Sequence, residues 1–342
     1  MKNNFEKEFT QLMNGDKEIP VNVRKTLDQT YDIIRAQSEK KKVNFIWKKV
    51  AAAACALIIT GVVLTNEQIM ASINEFFNFG DKGIEEAVHN GYIQENNSEA
   101  TNQGIKITLD NYLSDANKMS ISFQLEFENP SFLKNANDVS MDYRIKNGDG
   151  DYIEEFIQDT KTLKGENRYV SGLEYHVPIL DAETGIVQFD VLMESHQGSI
   201  PALKDAVVEV ESVHIFYGAD KMKDIDGNWE LPITNNEKSN ITVQYAMLDS
   251  ESNIQVSEAN ANPTSLHVTF SVDGVYEDEN TFAHRMKIID EEGNEYHAKD
   301  FGISKKNGKT VISTNFPITS YNDSLNLKLI VEELGEVELV KK

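Results

Sequence analysis

Two acidic segments of the sequence are candidates for metal binding. Asp149–Asp151 (DGD) and Asp224–Glu230 (DIDGNWE) resemble pieces of oxygen-rich calcium loops. Calcium takes about six to eight oxygen ligands, and its twelve-residue loop ends in a bidentate glutamate. Position 12 counted from Asp224 is Asn235 and not a glutamate, so this segment does not match the twelve-residue calcium loop. Acidic glycine turns are also common between strands that bind no metal, and we expect no metal site.

Catalytic motifs are equally sparse. The 7 histidines are scattered, with no two at i and i+4, and the sequence contains no HExxH, no GxSxG and no glycine-rich phosphate loop. Ser131 and Lys134 form an SxxK pair whose companion motifs are absent. Paired acids are plentiful in a chain of net charge −23 and therefore carry little information. We expect neither an enzyme nor a cofactor, although a site assembled from distant loops stays open.

The longest apolar run predicts a membrane anchor. Val50–Leu64 (VAAAACALIITGVVL) is uninterrupted and follows Trp47, Lys48 and Lys49. As a helix it would span roughly 22 Å of a core about 30 Å thick. Snorkelling lysines and an interfacial tryptophan extend it to a span over residues 45–65. A cleaved signal sequence and a buried helix of a soluble protein are the alternatives.

Charge predicts the orientation of this span. Residues 1–65 hold 11 basic and 7 acidic side chains, whereas residues 66–342 hold 22 basic and 49 acidic ones. Lysines cluster just before the run, which places the amino terminus in the cytoplasm and the rest outside the cell membrane. The acidic outer part disfavours nucleic acid as a partner. Cys55 is the only cysteine, so the outer part has no disulfide, which is compatible with a Gram-positive surface.

The cytoplasmic tail is predicted to dock a partner through an apolar stripe. Val23, Leu27, Tyr31 and Ile34 share one face of a helix that is too short to be stable alone. A partner that accepts an amphipathic helix in a groove would stabilise it. The alternative is a spacer that lies on the lipid surface.

The outer region is predicted to be mainly β. Hydrophobic residues switch from helical spacing to a period of two after Gly104, and turn residues recur at short intervals, as in antiparallel sandwiches. A weak repeat relates 121–153 to 266–296, which favours two sandwiches over one, although generic β patterning would explain it too. The predicted domains are a tail (1–44), a transmembrane helix (45–65), a helical neck and loop (66–103), and two antiparallel β-sandwich (Ig-like) domains (104–217 and 218–342).

Four parts of the chain together resemble membrane-anchored anti-sigma-factor-like proteins of Gram-positive bacteria. They are the tail helix IPVNVRKTLDQTYDIIR, the single span after a basic segment, the segment from Gly80 to Phe127, and KDIDGNWELPI with Gly227 and Trp229, which resembles the start of an immunoglobulin-like domain. The resemblance implies that the tail holds an alternative (extracytoplasmic-function type) sigma factor while the outer domains sense an undefined ligand. The tail lacks the His/Cys pattern of zinc-binding anti-sigma domains.

Two other functions stay open. One is a surface-anchored protein whose sandwiches bind cell-wall polymer or another protein, with the tail as a spacer. The other is an anchored envelope enzyme, which would need a cleft with clustered titratable groups. A tail that can be deleted without changing transcription would favour the first of these.

Overall fold

The computed structural model describes residues 77, 79–165, 169–170, 174–196, 198–218, 221–234, 241–248, 252–276, 282 and 284–342. The tail, the predicted span and the docking stripe lie outside these residues. Within them, none of the chain forms a helix with the length and hydrophobicity that a membrane crossing requires. The described residues between Asn66 and Lys342 form one compact unit.

The first half of this unit, here the first β unit, is built from two sheets. Its strands are β1 (Gln94–Asn102), β2 (Ile105–Ser114), β3 (Lys118–Phe127), β4 (Asp138–Lys146), β5 (Tyr152–Phe156), β6 (Glu174–Asp181), β7 (Ile186–Glu194), β8 (Val207–Phe216) and β9 (Met222–Pro232), with a 3-10 helix at Pro130–Leu133. They form a five-stranded sheet, β1-β2-β3-β7-β6, and a four-stranded sheet, β5-β4-β8-β9. Both sheets contribute to one hydrophobic core.

The second half, here the second β unit, is one continuous nine-stranded sheet. Its strands are β10 (Val243–Met247), β11 (Ile254–Ala261), β12 (Leu266–Asp273), β13 (Met286–Asp290), β14 (Glu295–His297), β15 (Phe301–Lys306), β16 (Lys309–Phe316), β17 (Asn326–Val331) and β18 (Gly335–Lys341). The order is β14-β13-β17-β18-β10-β11-β12-β16-β15. Strand β10 joins the two halves, because Val243 pairs with β11 and Tyr245 pairs with β18. Side chains from both halves share one core.

The single α-helix of the described chain, α1 (Lys82–His89), follows the expected apolar face. Ile84, Ala87 and Val88 are buried, and Gly91 beyond its end has a positive φ of 75°, which glycine adopts readily at the end of a helix. These side chains pack with Leu113 of β2 in a small third cluster. The helix covers the outer face of the five-stranded sheet, so the start of β3 is buried on both faces.

The predicted fold class is wrong in its architecture, although the fold is mainly β. The described chain has three sheets and one helix, and two tandem Ig-like sandwiches are not what it forms. The second β unit differs from the predicted sandwich because β10 pairs with β11 on one side and with β18 on the other. These pairings join all nine strands in one sheet.

Strand β9 lies in a segment that the prediction gives to the second domain. The prediction starts the second domain at residue 218 and gives it the KDIDGNWELPI segment. That segment instead pairs with β8, and its Trp229 and Leu231 are buried in the first core. A Cβ atom on Gly227 would overlap the Trp229 ring, so glycine lets the indole fold back over its own strand.

Strand β1 also differs from the prediction, which places these residues in the helical neck and loop at 66–103. Its residues alternate between exposed and half-buried, without an apolar face. Pairing with β2 forms it, and Asn96 fixes it to the chain after β9 through the carbonyl of Pro232 and the backbone N–H of Thr234. Backbone hydrogen bonds to β2 therefore specify this strand, since its sequence has no hydrophobic periodicity that would predict it.

Candidate functional site

The neck segment, which comprises the described residues from Phe77 to Tyr92, runs into the junction of the two β units. The backbone N–H of Phe77 donates to Asp190 Oδ2 in the first β unit at 3.0 Å. The Lys299 ammonium of the second β unit donates to the carbonyl of Gly80 at 3.1 Å. The neck therefore contacts both units.

Three charged side chains meet at the start of α1. Lys118 Nζ lies 2.6 Å from Asp81 Oδ2 and 3.4 Å from Glu194 Oε1, and the side chain of Lys118 is only 4% exposed. The Lys118 ammonium thus forms ion pairs with the buried side chains of both Asp81 and Glu194. Glu194 also accepts from the Asn315 side-chain amide at 3.0 Å, which links the cluster to the second β unit.

Burial and charge act in opposite directions on these groups. Burial disfavours the ammonium form of Lys118, but the carboxylates of Glu194 and Asp81 outweigh it, and the pKa of Lys118 is raised. Burial likewise disfavours ionised Glu194, yet the Lys118 charge, the hydrogen bond and charge of His196, and the Asn315 amide bring the pKa of Glu194 down to about 2. Lys118 therefore rests as an ammonium and Glu194 as a carboxylate.

Asp81 has a second role as the N-cap of α1. Its Oδ1 accepts the backbone N–H groups of Gly83 and Ile84 at 2.9 and 3.1 Å. An aspartate at this position satisfies helix N–H groups that lack partners inside the helix. The two oxygens of one carboxylate thus have different partners: backbone N–H groups on Oδ1 and the ammonium on Oδ2.

Neutral hydrogen bonds complete the junction. The Asn117 amide donates to the carbonyl of Ser265 at 2.9 Å and accepts from Asn262 at 3.0 Å. The backbone N–H of Thr264 donates to Asp115 Oδ2 at 2.8 Å, and burial raises the pKa of Asp115. These buried bonds join the two units in a fixed register.

Gly83 brings α1 against the second β unit. A Cβ atom at this position would overlap the carbonyl oxygen of Thr264. The helix therefore approaches the backbone of the second unit more closely than any other residue type allows.

Two pockets open on either side of this junction. The first has a volume of about 210 Å³ and is lined by the Asp81–Lys118–Glu194 cluster together with Tyr296, His297 and Lys299. The second, of about 200 Å³, has a largely polar lining that includes Asn117, Glu258, Asn262, His267 and Ser313. Between them stands Asn315, which bonds to His267 on one side and Glu194 on the other.

A second charged cluster lies on the outer face of the four-stranded sheet, under residues 157–165, here called the strap. Lys161 of the strap lies 2.8 Å from Asp142 Oδ2, and Lys164 lies 3.0 Å from Glu211 Oε1. Arg144 pairs with Glu155 and Glu211 and donates to the strap carbonyl of Thr162. Hydrogen bonds and charge from Arg144 and Lys164 overcome partial burial and hold the pKa of Glu211 at about 2.

Within this cluster, Ser212, His214 and Asp224 stand in the order of a catalytic triad. Ser212 Oγ is 3.3 Å from His214 Nε2, and His214 Nδ1 is 2.7 Å from Asp224 Oδ1. However, the Ser212 hydroxyl donates to Asp142 at 2.9 Å and the serine is fully buried. A nucleophile needs its proton on the base and access to a substrate. This arrangement supports attachment of the strap rather than acyl transfer.

The structure describes only some of the residues singled out in the sequence. Val23, Leu27, Tyr31 and Ile34 lie outside the described residues. Asp149 accepts the backbone N–H of Asp151 at 3.0 Å in the β4–β5 hairpin, as in an Asx turn. In the part of the chain that the structure describes, no three His, Cys, Asp or Glu side chains are grouped to hold a metal.

Sequence reasoning missed Asp81, Lys118 and Glu194. Asp81 before a short helix is a recognisable cap, but nothing local indicates that its second oxygen faces a lysine. Lys118 stands just before the alternating β3 segment, where a lysine is ordinarily read as solvent-exposed. It is buried because α1 and the second β unit both pack around the start of β3.

Residues 40–127 match a family described as a domain of unknown function (DUF4179). The match runs from the basic segment before the apolar run to the end of β3, and so includes α1, Asp81 and Lys118. No curated protein matches the chain significantly. Among solved structures, the chain is similar to one titled "The crystal structure of the conserved domain protein from Bacillus anthracis", with 16% identity, 70% of this chain and 77% of that chain covered, and a TM-score of 0.44.

Proposed function

We propose that this chain is a membrane-anchored regulator of transcription, in which the outer β units sense an envelope signal and the tail holds an alternative sigma factor. The observation that carries the proposal is the path of the neck segment. In the sequence it follows the apolar run at 50–64, and in the structure it bonds to the first β unit at Asp190 and to the second at Lys299.

This path couples the junction to the anchor. A ligand or partner that separates the two β units breaks the contacts of α1 with one of them, because Lys118 holds Asp81 from the first unit and Thr264 packs on Gly83 from the second. The neck would then change position relative to the sheets. A sensor needs such an element whose arrangement the ligand biases.

The test uses full-length protein in membranes of the native host. We expect a sigma factor to co-purify with the wild-type chain and to be lost from a Leu27→Asp plus Ile34→Asp variant, since two charges disrupt the predicted stripe. A Gln29→Asp plus Ala36→Asp variant adds the same charges on the opposite helix face and should retain the sigma factor. Recovery of no sigma factor from any of the three would contradict the proposal.

A second experiment tests the coupling. Gly83→Ala alters the junction without touching the tail, so it should change sigma-dependent transcription, whereas the exposed Lys82→Ala on the same helix should not. If sigma factor is bound but Gly83→Ala leaves transcription unchanged, the tail role stands and the sensing path through the neck is wrong.

Binding of a wall polymer or another surface molecule is the competing function, and the second pocket favours it. Its Asn, Ser, Thr and His side chains, together with the Glu258 carboxylate, offer hydrogen-bond donors and acceptors, as a hydroxyl-rich ligand requires. Normal transcription after deletion of residues 1–44, together with retained surface binding, would select this function instead.

A further inference from the structure

The Asp81–Lys118–Glu194 cluster contains the parts of a reaction between its own side chains. It has an amine, a carboxyl group beside it at 2.6 Å, and a second carboxylate 3.4 Å from the amine nitrogen. All three residues are more than nine-tenths buried. Groups held together in this way react at effective concentrations that free groups in water do not reach.

We propose that Lys118 and Asp81 become joined by an intramolecular amide bond. Lys118 Nζ attacks Asp81 Cγ, so an N–C bond forms and the bond from Cγ to Oδ2 breaks. Oδ2 leaves with two protons as water. No oxidant, metal or other co-reactant is needed, and the inference does not depend on the regulatory role proposed above.

Glu194 transfers the protons from Lys118 Nζ to Asp81 Oδ2. Nζ begins as an ammonium with three protons, of which one stays on the amide nitrogen. Glu194 accepts the first of the other two, which frees the lone pair of the amine, and delivers it to Oδ2. The second proton follows by the same route after the N–C bond has formed, and Glu194 ends as a carboxylate.

The helix cap supplies a site for the oxyanion. During the attack, negative charge builds on Asp81 Oδ1, which already accepts the backbone N–H groups of Gly83 and Ile84 at 2.9 and 3.1 Å. Preorganised donors of this kind stabilise tetrahedral intermediates. This oxygen becomes the amide carbonyl and keeps both hydrogen bonds, so the cap of α1 survives.

The resting ion pairs slow this step without preventing it. The raised pKa of Lys118 and the lowered pKa of Glu194 oppose the first proton transfer. A reaction that occurs once in the life of a folded chain tolerates a low rate. The first pocket borders all three side chains and gives the released water a path to solvent.

Peptide mass spectrometry of the full-length protein tests the bond. After digestion, we expect one branched peptide that carries Asp81 and Lys118 and is lighter than its two parent peptides by one water. Cleavage by trypsin after Lys118 should be lost. Recovery of the two separate, unmodified peptides from the wild-type protein, even after prolonged incubation in the folded state, would overturn the proposal.

Three variants make the assignment specific. Asp81→Asn keeps a favourable cap residue and should yield the same branched peptide with loss of ammonia in place of water. Glu194→Gln removes the proton acceptor and should give unlinked peptides, whereas Glu126→Gln, on the same strand as Lys118 but distant from the cluster, should leave the link intact. A branched peptide that joins Lys118 to Asn315 would contradict the choice of Asp81.

Discussion

The junction cluster and the strap cluster use the same kinds of charged side chain in different surroundings. At the junction, Lys118 is 4% exposed and faces two buried carboxylates, whereas Lys164 of the strap is 45% exposed. The pKa values of Glu194 and Glu211 are nevertheless both about 2. The two glutamates therefore have similar pKa values but depend differently on their partners, because water replaces the half-exposed Lys164 more readily than the buried Lys118.

The largest effect should come from Lys118→Ala. This change leaves Asp81 and Glu194 buried without their cation, which costs about 3–5 kcal/mol of unfolding free energy. Chemical denaturation measures it. Lys106→Ala removes a more exposed lysine that pairs with Glu126 at 3.0 Å and should cost at most about 1 kcal/mol. Similar costs for the two variants would mean that burial does not separate the clusters.

Gly83→Ala should destabilise the junction by about 1–3 kcal/mol, because the new methyl group collides with the carbonyl of Thr264. Helix propensity alone predicts the opposite, a gain of about 1 kcal/mol. The sign of the change in denaturation midpoint therefore distinguishes packing from propensity. Lys82→Ala, exposed on the same helix, is the control and should change the midpoint little.

Acid should loosen the strap. The folded-state pKa values of Asp142 and Glu211 lie below their ordinary values of 3.8 and 4.5, so both groups contribute stability above those values and lose it as the pH falls through the folded-state values. Pepsin cleavage within residues 157–165 should rise between about pH 4.5 and 2. Glu211→Gln should flatten that rise, and an unchanged profile in this variant would assign the loosening to other groups.

The smallest effect should come from Lys164→Ala. Its ion pairs with Glu211 and Glu209, at 3.0 and 3.4 Å, are partly exposed, so their loss should cost about 1 kcal/mol or less. Added salt screens such pairs. The difference between wild type and variant should vanish at high salt, whereas for Lys118→Ala it should persist. A salt-independent difference at Lys164 would contradict this ordering.

Much of the fold follows from hydrophobic spacing, and the exceptions have physical causes. The alternation in β3 and the apolar face of α1 are visible in the sequence and present in the structure. Strand β1 has no apolar face, so only its backbone partners specify it. The assignment of β9 depends on the burial of Trp229 in a core whose other members are distant in sequence.

The candidate site was less accessible to sequence reasoning than the fold. Each member of the cluster follows an ordinary local rule: an aspartate before a helix, a lysine before a strand, and a glutamate at the end of another. Their meeting depends on α1 lying over the five-stranded sheet and on the second β unit closing the other side. Contacts between residues so distant in sequence produce no hydrophobic periodicity, so a single sequence does not predict them.

The hydrogen bond from Lys299 to the carbonyl of Gly80 joins residues 219 positions apart. A ribosome makes the neck early and this lysine near the end, and domains generally fold in the order of their synthesis. The neck therefore completes its contacts only after synthesis has passed Lys299, which lies between β14 and β15. A chain truncated before β14 would lack this lysine, and its Gly80 carbonyl would be without that partner, which distinguishes incomplete copies from finished ones.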